Sequence, residues 1–224
     1  TTCNSTTGVY SISNVSYGAS DSLVVYINGE TEVGATVTKQ PVSNINNLDI
    51  YEDRVIVRHE SINAITIADM AVFDSSDDAD IPFTAVDAGT DTLTLPVDTK
   101  LIVWDTKEFA PAGDVTLTNG GSQAYGGSVE LYDDATWTGA GSELLTVGGS
   151  FETGTGAVFT ASNGTTTFTT TGSGRVVDVN SGTFTNIAFT GSGDWDITDA
   201  TFAVTGNYSQ SAGAVTFPAA TSTF

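Results

Sequence analysis

A G-x-G tripeptide recurs along the second half of the chain, at Gly139-Ala140-Gly141, Gly154-Thr155-Gly156, Gly172-Ser173-Gly174 and Gly191-Ser192-Gly193, with Ser211-Ala212-Gly213 as a degenerate fifth copy. Successive copies are 15, 18, 19 and 20 residues apart. Between them lie short segments in which Val, Phe and Ile alternate with Thr, Ser and Asp, so the unit reads as a strand followed by a glycine turn. Strands repeating at a fixed period below 50 residues are the pattern of a β-solenoid, in which no single unit buries its apolar face alone. A longer match agrees: Gly156-Ala157-Val158 through Thr167-Phe168 returns as Gly213-Ala214-Val215 through Thr223-Phe224, displaced by 57 residues at its start and 56 at its end. Three rungs of about 19 residues produce that displacement.

Composition narrows the class to all-β. Gly, Thr, Ser, Val and Phe are abundant, no apolar helical stripe of length is present, and 39% apolar residues in 224 suffice for real cores. Six Lys plus Arg against 27 Asp plus Glu give a net charge of −21, which repels nucleic acid and anionic membranes. Neither is an expected partner. Both halves are acidic, since residues 1–112 carry 17 acids and five bases and residues 113–224 carry ten acids and Arg175 alone. A charge of this size serves as a solvated secreted surface, cation binding, or solubility at high salt. No apolar run approaches the ~18 residues of a membrane span, and the start at Thr1-Thr2-Cys3 without Met reads as a processed or cut chain.

Residues 1–112 lack the rung period. Ser22–Ile27 runs into Asn28-Gly29 and a second extended segment, Glu30 to Thr38, which is a hairpin signal because both turn residues tolerate positive φ. Further strands are expected at Val9–Tyr17, Leu48–Tyr51, Arg54–Arg58, Ala64–Phe73, Thr92–Leu95 and Leu101–Trp104, separated by turn clusters. This number of short strands predicts an N-terminal β-sandwich over 1–112 that buries Val25, Ile27, Val55, Val57, Ile65, Ile67, Val72 and Trp104. Pro111 and Gly113 mark the boundary to a β-solenoid, or parallel β-helix, over 113–224. Its interior is expected to be stocked by Phe151, Phe159, Phe168, Phe184, Phe189, Phe202, Tyr208 and Phe217.

Little in the chain suits chemistry. His59 is the only histidine, and no nucleophile elbow or H-E-x-x-H pattern accompanies it. Asp194 and Asp196 flank Trp195, a pairing of carboxylates and aromatic that glycoside hydrolysis uses, yet their alternation is also ordinary strand patterning. Asp74, Asp77, Asp78 and Asp80 form the densest acidic run and are a candidate calcium site, because calcium takes six to eight oxygens in irregular geometry. The EF-hand spacing is missing, and a solvated turn is the alternative. Cys3, the only cysteine, is an idle thiol, an interchain disulfide partner or a lipidation site, and the two preceding threonines count against the last. Asn4, Asn14, Asn163 and Asn207 are glycosylation sequons. A threonine surface for ice or crystalline polysaccharide would need Thr at one rung position in several coils. Thr165–Thr171 does not recur as a regular T-x-T in the expected next rung, Arg175–Thr183.

The runs Leu145-Thr146-Val147-Gly148-Gly149-Ser150-Phe151 and Val204-Thr205-Gly206-Asn207-Tyr208-Ser209 resemble rungs of large bacterial surface proteins with filamentous-haemagglutinin-type or autotransporter-type β-helices. Arg54–Glu60 through Ile65–Met70 to Asp74–Asp80 is similar to a module preceding such repeats in long extracellular proteins. The resemblance implies an extracellular or cell-surface location and carries over no catalytic residue. The expected role is therefore a non-enzymatic subunit of a filament or surface stalk, assembling with itself head to tail. The residues expected to join subunits are Val9, Tyr10, Ile12, Val15 and Tyr17 from one copy and Val215, Phe217 and Phe224 from the next. The alternatives are an adhesin module that binds surface polysaccharide and, less favoured, a polysaccharide-active β-helix enzyme.

Overall fold

The alternating segments form strands of two to five residues, and each residue that points inward on one strand is stacked on an inward residue of the next coil. The computed structural model describes residues 8–18, 21–39, 44–60, 63–121, 123–180, 182–199 and 201–218, together with the backbone of 222–223. The chain winds into a β-solenoid of about eight turns whose three sides are sheets of nine, six and seven strands. The first sheet contains Ser22–Tyr26, Ala35–Lys39, Arg54–Val57, Lys100–Val103, Val129–Leu131, Phe151–Thr153, Arg175–Val177, Asp194–Ile197 and Ala214–Thr216. The second contains Glu108–Phe109, Thr136–Thr138, Val158–Thr160, Thr183–Phe184, Phe202–Val204 and Ser222–Thr223. The third contains Thr84–Val86, Thr92–Leu95, Asp114–Leu117, Leu145–Val147, Thr165–Phe168, Asn186–Phe189 and Tyr208–Gln210.

Two expectations change. The described strands before residue 112 do not make a separate sandwich: Ala35–Lys39, Arg54–Val57 and Lys100–Val103 pair in parallel as the opening strands of the first sheet. Ladder pairs also span the expected boundary, Leu93 with Val115 and Leu101 with Val129. Short β-rich segments look alike whether they fold into hairpins or coils; the long loops between them decide, and those loops carry no period. The rung advance also differs from 19. Arg175 pairs with Trp195, 20 residues on, Leu145 with Thr166, 21 on, and Phe151 with Val177, 26 on. The glycine tripeptides at 172, 191 and 211 sit at one corner, between the third and first sheets, whereas those at 139 and 154 turn the other two corners. The shorter steps therefore compared unlike turns. Close packing requires the glycines: a Cβ on Gly191 would run into the Thr170 carbonyl oxygen one coil back.

The interior is a run of aromatic rings. Phe109, Trp137, Phe159, Phe184 and Phe202 follow one another along the second side, with centroid separations of 5.0, 6.4, 5.2 and 5.7 Å, and Phe217, at the corner after the last strand of the first sheet, packs on Phe202 at 5.8 Å. Phe168, Phe189 and Tyr208 form a shorter row along the third side at 5.1 and 5.9 Å. Each such contact adds about 0.5–1.5 kcal/mol beyond area burial, and it is made between neighbouring coils, which is how a solenoid holds together. The expected core holds for Val55, Val57, Ile65 and Ile67. It fails for Val72, which is 62% exposed, and for Trp104, which lies outside between Tyr51 and Tyr132 at 6.2 and 5.1 Å.

The solenoid is capped at its N-terminal end. Ser22–Tyr26 and Thr84–Val86 close the first and third sheets as antiparallel edge strands. Residues 64–73, expected as a strand, contain the helix Ile67–Met70 instead. Thr66 accepts a hydrogen bond from the Asp69 N–H while Asp69 accepts from the Thr66 N–H, a capping box that makes the turn helical despite the β-branched residues around it. Ile67 and Met70, one helical turn apart, then plug the coil interior with Ile81 and Phe83. A second layer covers the outer face of the first sheet here: Thr36 donates to the Asp49 carbonyl at 2.5 Å and Arg58 to that of Asn47 at 2.6 Å, so both side chains are buried although they point outward.

Candidate functional site

The acidic run lies in the N-terminal cap, and its carboxylates serve backbone groups. Asp74 is buried and accepts from the N–H groups of Ala85, at 2.6 Å, and Ser76, at 2.7 Å. Burial pushes its carboxyl up, but the hydrogen bonds from Ser76 and Ala85 outweigh that and hold it below the ordinary carboxylate value. Asp77 accepts from the Asp74 N–H. Asp78 accepts from the Asp80 N–H at 3.1 Å and the Tyr26 hydroxyl at 2.7 Å, which depress its carboxyl and raise the Tyr26 phenol. Asp80 takes the Gly29 N–H at 2.6 Å. The run thus ties the cap to the Asn28-Gly29 turn. Its four carboxylates are not gathered around a common point, and among the described residues no three His, Cys, Asp or Glu side chains could hold a metal ion together.

The expected joining residues occupy the two ends. Residues 8–17 belong to no strand, and Val9, Ile12, Val15 and Tyr17 are exposed, while the Tyr10 hydroxyl donates to the Leu48 carbonyl. At the other end Val215 and Phe217 are half-buried, with the Phe217 ring packed at a tilt against Phe202 at 5.8 Å and Tyr208 at 6.0 Å. The strands Tyr208–Gln210, Ala214–Thr216 and Ser222–Thr223 each have one paired side, and no described residue pairs with the other. Phe224, Cys3 and Asn4 lie outside the described residues. Asn14, Asn163 and Asn207 are exposed. Asn163 and Asn207 also belong to a ladder along one corner, in which Asn186 donates to the Asn163 carbonyl at 3.1 Å and accepts from Asn207 at 3.0 Å.

The sides of the solenoid differ in chemistry. All charged strand residues are on the first sheet except Glu108 and Asp114. Asp194 and Asp196 are exposed there, but Trp195 between them is fully buried, so it cannot serve as a platform for sugar. Tyr51, Trp104 and Tyr132 form an exterior aromatic row beside a groove lined by Asp105, Glu130, Asp133 and Glu152. In that groove Lys100 pairs with Glu130 at 2.9 Å. A second hollow, lined by Pro111, Trp137, Glu143, Phe159 and Ser162, contains Glu143 as its one titratable side chain. Neither hollow contains a histidine, and His59 is half-buried elsewhere.

The third sheet carries a feature that reading along the chain missed. Its outward residues stack as Thr84, Thr94, Thr116, Thr146 and Thr167, in direct register on five consecutive strands, followed by Ala188 and Ser209. The signal was in the T-x-T pairs Thr92/Thr94, Thr116/Thr118 and Thr165/Thr167, but each coil places two other strands between them. Comparing Thr165–Thr171 with Arg175–Thr183 compares different sides. No protein-family model, curated protein or solved structure matches the chain.

Proposed function

We propose that the chain is a non-enzymatic structural element of an extracellular filament or surface stalk, extended by adding coils at its C-terminal edge. The observation that carries this reading is the asymmetry of the two ends. Antiparallel edge strands and a helical plug cover the N-terminal cross-section, whereas the aromatic interior reaches Phe217 on strands whose outer edges no described residue pairs. Unpaired strand edges beside an apolar cross-section are templates for another strand. The covered N-terminal face favours a donor segment over simple coil-on-coil stacking of two copies at that end. The segment around Val9, Tyr10, Ile12, Val15 and Tyr17 is the better donor, because Val9, Ile12, Val15 and Tyr17 are exposed and the segment occupies no sheet position of its own. A donor that passes from each copy to the next does not close, and so forms a fibre.

Negative-stain microscopy and light scattering of the purified 224-residue chain test this. Fibres that vanish on Ile12→Asp with an unchanged melting temperature are expected; a strict monomer at high concentration would sink the donor mechanism. The exterior row Tyr51, Trp104 and Tyr132 beside carboxylates favours polysaccharide binding as a second reading. Glycan binding lost on Trp104→Ala would support it.

A further inference from the structure

We infer that the third side of the solenoid is an ice-binding face. Five threonines in register, Thr84, Thr94, Thr116, Thr146 and Thr167, make a straight column along the solenoid. The row two residues on runs Pro96, Thr118, Gly148, Thr169 and Thr190, so its threonines are interrupted, and each of the three donates its hydroxyl to a carbonyl of the preceding coil. Coils are about 4.8 Å apart, so the hydroxyls of the column repeat at that spacing on an in-register support, with the interrupted second row about 6.7 Å beside it. An oxygen repeat of hexagonal ice falls on the same scale as the spacing of the column.

Three further observations select ice over other occupants. The hydroxyls of Thr94, Thr116, Thr146 and Thr167 make no hydrogen bond to described residues, whereas that of Thr84 pairs with the Ser75 hydroxyl at 2.7 Å and those of Thr118, Thr169 and Thr190 in the adjacent row donate to carbonyls of the preceding coil. The side is nearly neutral on a chain of net charge −21, with Asp114 its only charged strand residue, as a neutral crystal requires. It also carries no outward aromatic ring among these strands, and stacked rings are what flat polysaccharide recognition uses. A second copy fits poorly: six coil spacings by two residue steps cover a few hundred Å², below the roughly 800 Å² per partner of a stable interface.

The test grows ice slowly from a solution of the whole chain and measures how the protein divides between ice and liquid, alongside thermal hysteresis by osmometry. Enrichment in the ice with measurable hysteresis is expected, together with loss of both in Thr146→Lys and in Thr94→Lys. Both positions face outward, so melting temperatures should stay at the parent value, and Asp196→Lys on the first side should keep full ice binding. Exclusion of the parent chain from ice overturns the inference, and so does unaltered partitioning of both threonine variants. Retention on microcrystalline cellulose without enrichment in ice would assign the face to polysaccharide and overturn it equally.

Discussion

Phe184 offers the sharpest test of how the coils are held together. Its ring is fully buried and touches Phe159 on the preceding coil at 5.2 Å, Phe202 on the following coil at 5.7 Å and Phe168 across the interior at 6.2 Å. Burying a phenyl side chain removes on the order of 150 Å² of apolar surface from water, about 4 kcal/mol at 25 cal/mol per Å². Phe184→Ala should therefore cost about 3–5 kcal/mol, since rigid neighbours on both sides leave the void open. The distribution of the loss matters as much as its size. In a solenoid each coil contacts only its neighbours, so the variant should weaken the coupling between the coils before and after residue 184. Native-state hydrogen exchange is the assay: amides from Phe202 onward should lose protection, while those of Val55–Val57 and Leu101–Val103 keep theirs. Val158→Ala, on the same sheet but 51% exposed, should stay within about 0.5 kcal/mol. A loss below about 1 kcal/mol for Phe184→Ala, or protection lost evenly along the whole chain, would refute the nearest-neighbour account.

Trp195 is fully buried and its indole N–H has no hydrogen-bond partner, so Trp195→Phe removes an unsatisfied donor and should cost far less than Trp195→Ala, for which about 3–5 kcal/mol is expected; chemical denaturation of the two variants compares them. Asp74→Ala leaves the Ala85 and Ser76 N–H groups without their acceptor and should cost about 2 kcal/mol, with exchange rising in the N-terminal cap before the later coils. The same cap should be acid-sensitive. The folded-state carboxyls of Asp74 and Asp78 titrate below their ordinary 3.8, so their stabilisation is present above that value and is lost as pH falls through the depressed ones; melting curves from pH 5 to 2 should show a decline that Asp78→Asn makes shallower. Gly191→Ala places a Cβ against the Thr170 carbonyl and should destabilise more than Gly174→Ala, where a Cβ meets no atom within 4 Å and only the positive φ is strained; thermal melts rank them.

The coiled architecture was legible in the chain because the glycine corners and inward aromatics recur at every turn. Phe159, Phe168, Phe184, Phe189 and Phe202 could be assigned to the interior from alternation alone. Three things were not legible. The first coils are interrupted by long insertions, Val55 pairing with Leu101 46 residues later, so no period exists to find there. The helical plug is hidden by Ile65-Thr66-Ile67, whose β-branched alternation reads as a strand; only the Thr66/Asp69 capping pair gives it away. The threonine column is invisible for a geometric reason. Neighbours on successive coils are separated by two other strands and three corners of variable length, so register from Thr116 to Thr146 to Thr167 requires steps of 30 and then 21 residues, which no fixed period yields.

The placement of charge links the candidate roles. A chain with 27 acids and six bases repels its own copies at every approach, yet the second and third sides contribute one charged strand residue each, Glu108 and Asp114. The first side bears the others, from Lys39 and Arg54 through Glu130 and Glu152 to Asp194 and Asp196. Charge segregated in this way gives three unlike exposed sides to any stalk built by adding coils at the C-terminal edge. On the proposed reading, contacts at that edge would rest on backbone pairing and buried aromatics and be nearly indifferent to salt, whereas approach of two acidic sides is screened within about 10 Å at 0.1 M salt. Fibre length should therefore be insensitive to ionic strength, while side-by-side association should grow as salt is raised. If added salt instead dissolved the fibres, ion pairs and not strand pairing would be joining the subunits. The paired groups to seek would then be the few cations, Lys39, Arg54, Arg58, Lys100, Lys107 and Arg175.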